Sequence, residues 1–479
     1  MLGRLAAVGL IACVSIAPTP VPAPSSPQAA AARHFAAIKN DPLKLLAFLR
    51  EMPKGGDLHN HLSGAVYAET YLRWAAEDHL CLAIATLSIV SGTCDEAAGR
   101  PPAASILENA ALYNQAIDAM SMRNWNPALN GRDHFFGAFA RFGPASTKTG
   151  DMLAEVAARA AAEHVSYLEL MLTPDGGAAA AAGRAAGWDE DLGRLREKLL
   201  AAGLRDRVVG AVRQRLDAAE ARRRELLRCG TSKADAGCAV VVRYLAQVGR
   251  TAAPEIVFAQ MLAWFELAGV EPRVVGLNLV QPEDAPRAVR DFDLQMSMLD
   301  FLHGLYPNVA IALHAGELSA ALVHPDTLRT HIRQSIERGH ARRIGHAASI
   351  IEEDHPYALL REMASKKILV EIALSSNDLI LGVGHRHPLH LFLEYGIPVA
   401  IATDDMGVAR STHTREFAKA VEQHGVGYLT LKQMARNSID YAFADAATRT
   451  RLGRELEAAF RAFELMVSRQ PSPAAQPRR

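Results

Sequence analysis

Along most of the chain, short runs of branched apolar residues bounded by turn residues alternate with longer stretches rich in Ala, Leu, Glu and Arg. Short, continuously apolar runs read as strands buried on both faces, and the longer stretches between them as helices. The strand-like runs fall at 167–172, 239–244, 274–280, 309–314, 343–346, 369–374 and 398–403. Residues 34–52 read as a helix leading into Gly55-Gly56-Asp57-Leu58-His59-Asn60-His61-Leu62, a further short strand that ends in polar groups. Strands separated by helices in this way predict an α/β fold, a parallel (β/α)₈ barrel of the TIM type. Two regions break the alternation. Residues 81–144 are irregular, with Gly, Pro, Asn and Trp clusters, and residues 188–237 are helical and rich in Arg, Leu and Ala. Both read as insertions into one large domain at 34–467, followed by a Pro-containing tail at 468–479 expected to be disordered.

The first 33 residues read differently, as an export leader and linker: Arg4 precedes an apolar run at 5–16, and a Pro/Ala/Ser-rich stretch follows. That run falls short of the ~20 apolar residues needed to cross a bilayer, so no membrane span is expected. Within it, Leu10-Ile11-Ala12-Cys13 resembles a lipoprotein processing box, which makes Cys13 a candidate lipid anchor. Export to the periplasm or the medium is the expectation. The other cysteines lie close together in sequence, Cys81 with Cys94 and Cys229 with Cys238. They form either two short-loop disulfides or separate buried thiols, and an oxidising compartment favours the former. Neither pair has the spacing of a cysteine zinc site. With 52 Lys+Arg against 52 Asp+Glu, there is no basic excess to draw the chain to nucleic acid, so a small, roughly neutral partner is expected. No oligomeric state follows from any of this.

Candidate chemistry sits at the carboxyl ends of the apolar runs, the face on which barrel enzymes build their sites. His59 and His61, two apart on a strand, point to one side and can share a cation. His314 closes the run 309–313 and Asp404 follows 399–403. Each alone reads equally as a hydrogen-bonded core residue or a helix cap. Jointly, three imidazoles and a carboxylate form a set suited to catalytic zinc, which lowers the pKa of water to about 7. Glu317 in His314-Ala315-Gly316-Glu317 is placed to move a proton. His346, ending Arg342-Arg343-Ile344-Gly345-His346, can stabilise developing negative charge. Asp405 is a candidate acceptor for a hydrogen bond from a substrate ring.

Together, the segment Met52-Pro53-Lys54-Gly55-Gly56-Asp57-Leu58-His59-Asn60-His61-Leu62-Ser63-Gly64-Ala65 and the motifs His314-Ala315-Gly316-Glu317, Arg343-Ile344-Gly345-His346-Ala347, Ser375-Ser376-Asn377 and Thr403-Asp404-Asp405 resemble the adenosine deaminase family. The Met-Pro-Lys-Gly opening and local Cys pairs also resemble its secreted branch. The resemblance implies one Zn²⁺ per chain on His59, His61, His314 and Asp404, with Glu317 as proton shuttle at purine N1. It also puts His346 beside the attacking oxygen and Asp405 near N7, and implies deamination of adenosine or 2′-deoxyadenosine with release of ammonia. Two positions depart from the pattern. Ser63 stands where the family has a carboxylate that contacts the sugar, and Gln281 stands near a glycine whose amide approaches the base. Ser63 is expected to alter the sugar contact and Gln281 to crowd or reshape the base pocket. The rival readings are a barrel hydrolase acting on another aminated heterocycle or an amide, and a non-catalytic secreted binding protein. The cytidine-deaminase zinc signature, phosphate loops and a nucleophile elbow are missing from the sequence.

Overall fold

The computed structural model describes residues 26–126 and 130–470. The expected leader at 1–25, with Cys13, and the tail at 471–479 lie outside the described residues. Within them, two four-stranded parallel sheets share one barrel wall. Its strands are β1 (Gly55–His61), β2 (Val165–Leu172), β3 (Val241–Gly249), β4 (Val274–Val280), β5 (Ala312–Ala315), β6 (Arg343–His346), β7 (Leu369–Ile372) and β8 (Val399–Ile401). Each pairs with its sequence neighbour in parallel within β1–β4 and within β5–β8. Parallel bridges Leu277↔Ile311 and Asn60↔Asp404 join the two sheets at both seams. This is the expected closed barrel.

Boundaries moved where side-chain type misled. β3 runs from Val241 to Gly249 rather than 239–244, because Gln247 and Gly249 do not read as strand although each faces a strand partner. β7 stops at Ile372, since Leu374 already opens the helix Leu374–Leu381. The helix expected at 34–52 is two helices, Pro27–Ile38 and Pro42–Glu51; Asp41 caps the second through Leu43 and Lys44 amides, and Pro42 lacks the amide a continuous helix needs. Pro27 to Arg33, expected in the linker, are thus helical. Ser26 caps them, and the helix packs on the last one, Ala446–Ser468, where Phe48 meets Tyr428 and Phe463 edge to face and Phe35 at a tilt. That last helix also takes in Ser468, which was expected in the tail.

Residues 188–237 carry the helices Leu192–Ala201 and Leu204–Leu226, the latter laid along Thr149–Ala162. Both cysteine pairs are disulfides: Cys81–Cys94 ties the short antiparallel pair Cys81–Ala83/Ser88–Val90, and Cys229–Cys238 closes the turn before β3. No helix among the described residues is long and apolar enough to cross a membrane. The barrel interior is not purely aliphatic. Arg343, fully buried, bridges Glu169 at 2.6 Å and Glu371 at 2.7 Å and lies 3.7 Å from the centre of the Phe443 ring, so this charge is paired where water cannot reach it.

Candidate active site

At the carboxyl ends of β1, β5 and β8, four side chains converge on one point. His314 Nε2 lies 3.0 Å from His59 Nε2 and 3.1 Å from His61 Nε2, while Asp404 Oδ1 is 3.5 Å from the first and 3.3 Å from the second of those β1 nitrogens. Ligands of a tetrahedral zinc at its usual bond lengths are separated by about 3.3 Å, so the spacing is that of donors around one ion. Asp404 Oδ1 is also buried without a hydrogen-bond partner, as a metal-directed oxygen is left when only protein atoms surround it. Backbone strain holds the turn: Asp404 has φ +55° and pairs back to β1 through Asp404 N–His59 O at 2.8 Å.

The partners of the far ring nitrogens decide which nitrogen is bare. His59 Nδ1 donates to the Glu371 carboxylate at 2.6 Å, and His314 Nδ1 donates to Asn278 Oδ1 at 2.9 Å. Their Nε2 atoms are therefore free to coordinate. His61 Nδ1 meets the Gln247 amide at 3.2 Å. Burial holds His61 down at about 4 and, with the neighbouring charged His59, puts His314 well below the ordinary value. Burial opposes charge on His59 too, but the nearby Asp404 and Glu371 carboxylates outweigh it and raise the group to about 10. A metal must displace that proton.

His346 also lies within reach of His59, His314 and Asp404, but its tautomer is the opposite one. The Leu389 amide donates to His387 Nδ1 at 3.2 Å, so His387 Nε2–H donates to Asn377 Oδ1, also at 3.2 Å. The Asn377 amide nitrogen then donates to His346 Nδ1 at 2.9 Å. The remaining proton sits on Nε2, which is buried without a partner, so His346 is a hydrogen-bond donor into the site rather than a ligand. Burial and the His59 charge keep it neutral, at about 4.

Glu317 occupies the turn after β5. The Gly316 and Glu317 amides donate to Glu283 at 3.2 and 2.9 Å, and His331 braces Glu283 at 2.7 Å. Gly316 has φ +76°, and a Cβ there would meet Ile332 at 2.7 Å, so this turn needs glycine. Burial first, then Asp404 and Glu283, raise the Glu317 carboxyl well above its ordinary range, which favours its protonated form. Asp405 behaves alike: burial and adjacent Asp404 push it well up, and Oδ1 is buried without a partner. A carboxyl shifted upward in this way favours the form that presents an O–H and still keeps the acceptor capacity expected of it. Gly64 makes room for it, since a Cβ there would sit 1.6 Å from Oδ1.

These groups floor a cavity of about 430 Å³. Ser63 and Gln281 line it. Gln281 has φ +77°, a conformation suited to the glycine found in the family pattern, and its amide oxygen is held by the Thr251 amide at 3.1 Å and hydroxyl at 2.5 Å. The opposite wall is Phe135, Phe136 and Phe139, from the helix Gly131–Phe142. That helix is fastened by Arg132, whose Nε is 2.8 Å from Asp284 Oδ2 and whose second nitrogen is 3.1 Å from Oδ1. Among the described residues, no Lys or Arg lines the cavity. Sequence reasoning missed this wall, although Phe135, Phe139 and Phe142 recur at helical spacing. It missed Gln247, which lay beyond the expected end of β3, and it missed Asn278, Glu283, Glu371 and His387. Of these last four, only Glu283 carried a signal, next to Gln281.

The family model for adenosine deaminase matches residues 147–459. Among curated proteins, the chain is 33% identical over 150 residues to an adenosine deaminase of Escherichia coli strain SMS-3-5, covering 31% of this chain and 42% of that protein. It is 27% identical over 228 residues to an adenine deaminase of Rhizobium etli, covering 47% of this chain and 64% of that one. The matched stretch thus spans less than two thirds of either relative. Among solved structures, the N6-mAMP deaminase of Arabidopsis superposes with a TM-score of 0.56 at 19% identity, covering 86% of this chain and 99% of that one. An amidohydrolase from Burkholderia ambifaria with bound Zn gives 0.55 at 16%, covering 89% and 95%. These two likenesses concern the fold.

Proposed function

The chain belongs to the adenosine deaminase family, and from that premise we propose that it is a zinc-dependent aminohydrolase converting adenosine or 2′-deoxyadenosine to the inosine form. The observation that carries this is Glu317, buried and facing the same cavity as His61, His314 and Asp404, which converge with His59 on one point. His59, His61, His314 and Asp404 would hold one zinc per chain, which when bound would make a water acidic enough to attack at neutral pH. Glu317 gives its proton to purine N1, drawing electron density from C6. His346 Nε2–H orients the attacking oxygen and offsets its negative charge, while Asp405 O–H donates to N7. The C6–O bond forms, the C6–N bond breaks, and the amine leaves as ammonia with a proton returned through Glu317.

Absence of Lys and Arg from the lining among the described residues supports a nucleoside or base over a nucleotide, because a phosphate there meets carboxylic, imidazole, amide, hydroxyl and apolar groups and no cationic side chain. The short Ser63 hydroxyl supports a second reading, an aminated heterocycle with a smaller or absent sugar, as in the adenine deaminase of Rhizobium etli. We further propose export to the periplasm or medium, with a lipid anchor at Cys13 as one route; the two disulfides support an oxidising compartment. Ammonia release from a panel of adenosine, 2′-deoxyadenosine, adenine, AMP, aminated pterins and cytidine tests the substrate. Adenosine and its deoxy form are expected fastest. Preference for AMP, or turnover of no purine, contradicts the proposal.

A further inference from the structure

A second cavity of about 430 Å³ opens at the opposite end of the barrel, beneath the amino ends of β4, β6 and β7. Arg342, Lys366, Lys367 and Arg449 surround it, the paired Arg343 forms part of its lining, and Asp440 is the sole acid lining it. Elsewhere, Arg222 is paired with Asp151 and Glu225, Arg223 with Glu220, and Arg273 with Asp217 and Glu271. Here Lys366 is paired with Glu362, but Arg342 has only the Phe443 ring, 5.8 Å away, and Lys367 has no carboxylate within salt-bridge distance among the described residues. In a chain whose formal charges cancel, this is a local excess of positive charge around a concave space.

Lys367 adds an independent sign. It ends the helix Pro356–Lys366 in the left-handed region, at φ +54°, a position where glycine or asparagine carries less strain. A lysine kept there puts an ammonium at the rim at some conformational cost. The space exceeds a bare phosphate ion, and Asp440 and Asn308 offer an acceptor and an amide to hydroxyl groups.

We propose that this cavity binds a small, hydroxylated phosphate ester of the sugar-phosphate class, its phosphate on Arg342, Lys367 and Arg449. Calorimetric titration of the purified full-length protein with ribose 5-phosphate at low ionic strength tests it. Saturable binding is expected, lost for ribose and weakened by added salt. In the double variant Arg342→Gln/Lys367→Asn, whose asparagine fits the left-handed position, affinity should fall about a hundredfold. Glu317→Gln should bind as the parent does. If the double variant does not fold, Arg449→Gln alone should weaken binding about tenfold. No saturable binding by the parent overturns the proposal. So does equal affinity in the double variant or, where that does not fold, in Arg449→Gln, or binding lost in Glu317→Gln, which would locate the ester in the other cavity.

Discussion

The two ends of the barrel hold cavities of the same size, about 430 Å³, with opposite chemistry. Among the described residues, the carboxyl-end lining contains Glu317, Asp404 and Asp405 with imidazoles and phenyl rings and no Lys or Arg; at the amino end five Lys and Arg face one Asp. One strand contributes to both: β4 gives Val275 to the amino-end lining and Val280 to the carboxyl-end lining, ~17 Å apart along an extended backbone. The lesson is a division of labour within a single wall. Carboxyl-end residues sit in strained turns and buried, unpaired states that cost stability but prepare chemistry, whereas Arg343 spends its charge on two carboxylates that hold the interior together.

Substitutions at each end separate the two roles. The largest effect is expected for Glu317→Gln, which should lower kcat by about 10²–10⁴-fold while bound zinc and thermal midpoint stay near the parent's. The pH profile sharpens this. Burial raises this carboxyl, so activity that needs its proton should be lost as pH rises through its elevated value, not as pH falls through the ordinary carboxylate range. Next, Arg343→Met should cost about 3–5 kcal/mol in urea unfolding by depriving buried Glu169 and Glu371 of their shared cation. A stable variant with impaired turnover would erase the contrast between the ends. His387→Phe removes the donor that orients Asn377 and should lower kcat by about 10–100-fold with KM little changed, since His346 loses its enforced tautomer. The smallest effect is expected for Asp284→Ala, which releases Arg132 and loosens the phenyl wall: KM should rise a few-fold, about 1 kcal/mol, with kcat retained.

Much of this arrangement was legible in the chain. The barrel followed from alternating apolar runs, and the convergent set His59, His61, His314 and Asp404 from polar residues at their ends. Glu317 and His346 followed from short motifs. What escaped was whatever depended on a partner distant in sequence. Glu371 reads as an interruption of an apolar run, yet it fixes the His59 tautomer from β7. His387 sits in a His-rich turn with no local sign of its link through Asn377 to His346. Gln247 fell outside β3 because an amide in a buried strand looks like a strand end. The phenyl wall lay in a region whose Gly, Pro and Asn content hid the helix Gly131–Phe142.

The central claim is that β1, β5 and β8 bring their polar ends onto one cation. Zinc content after gel filtration of the parent and of His61→Ala, His314→Ala and Asp404→Ala, measured by plasma mass spectrometry alongside circular dichroism, tests it most directly. The parent should retain close to one zinc per chain, and each variant, still folded, should retain almost none. A parent that binds no zinc when supplied with it, or variants that hold it as tightly as the parent, would contradict the account.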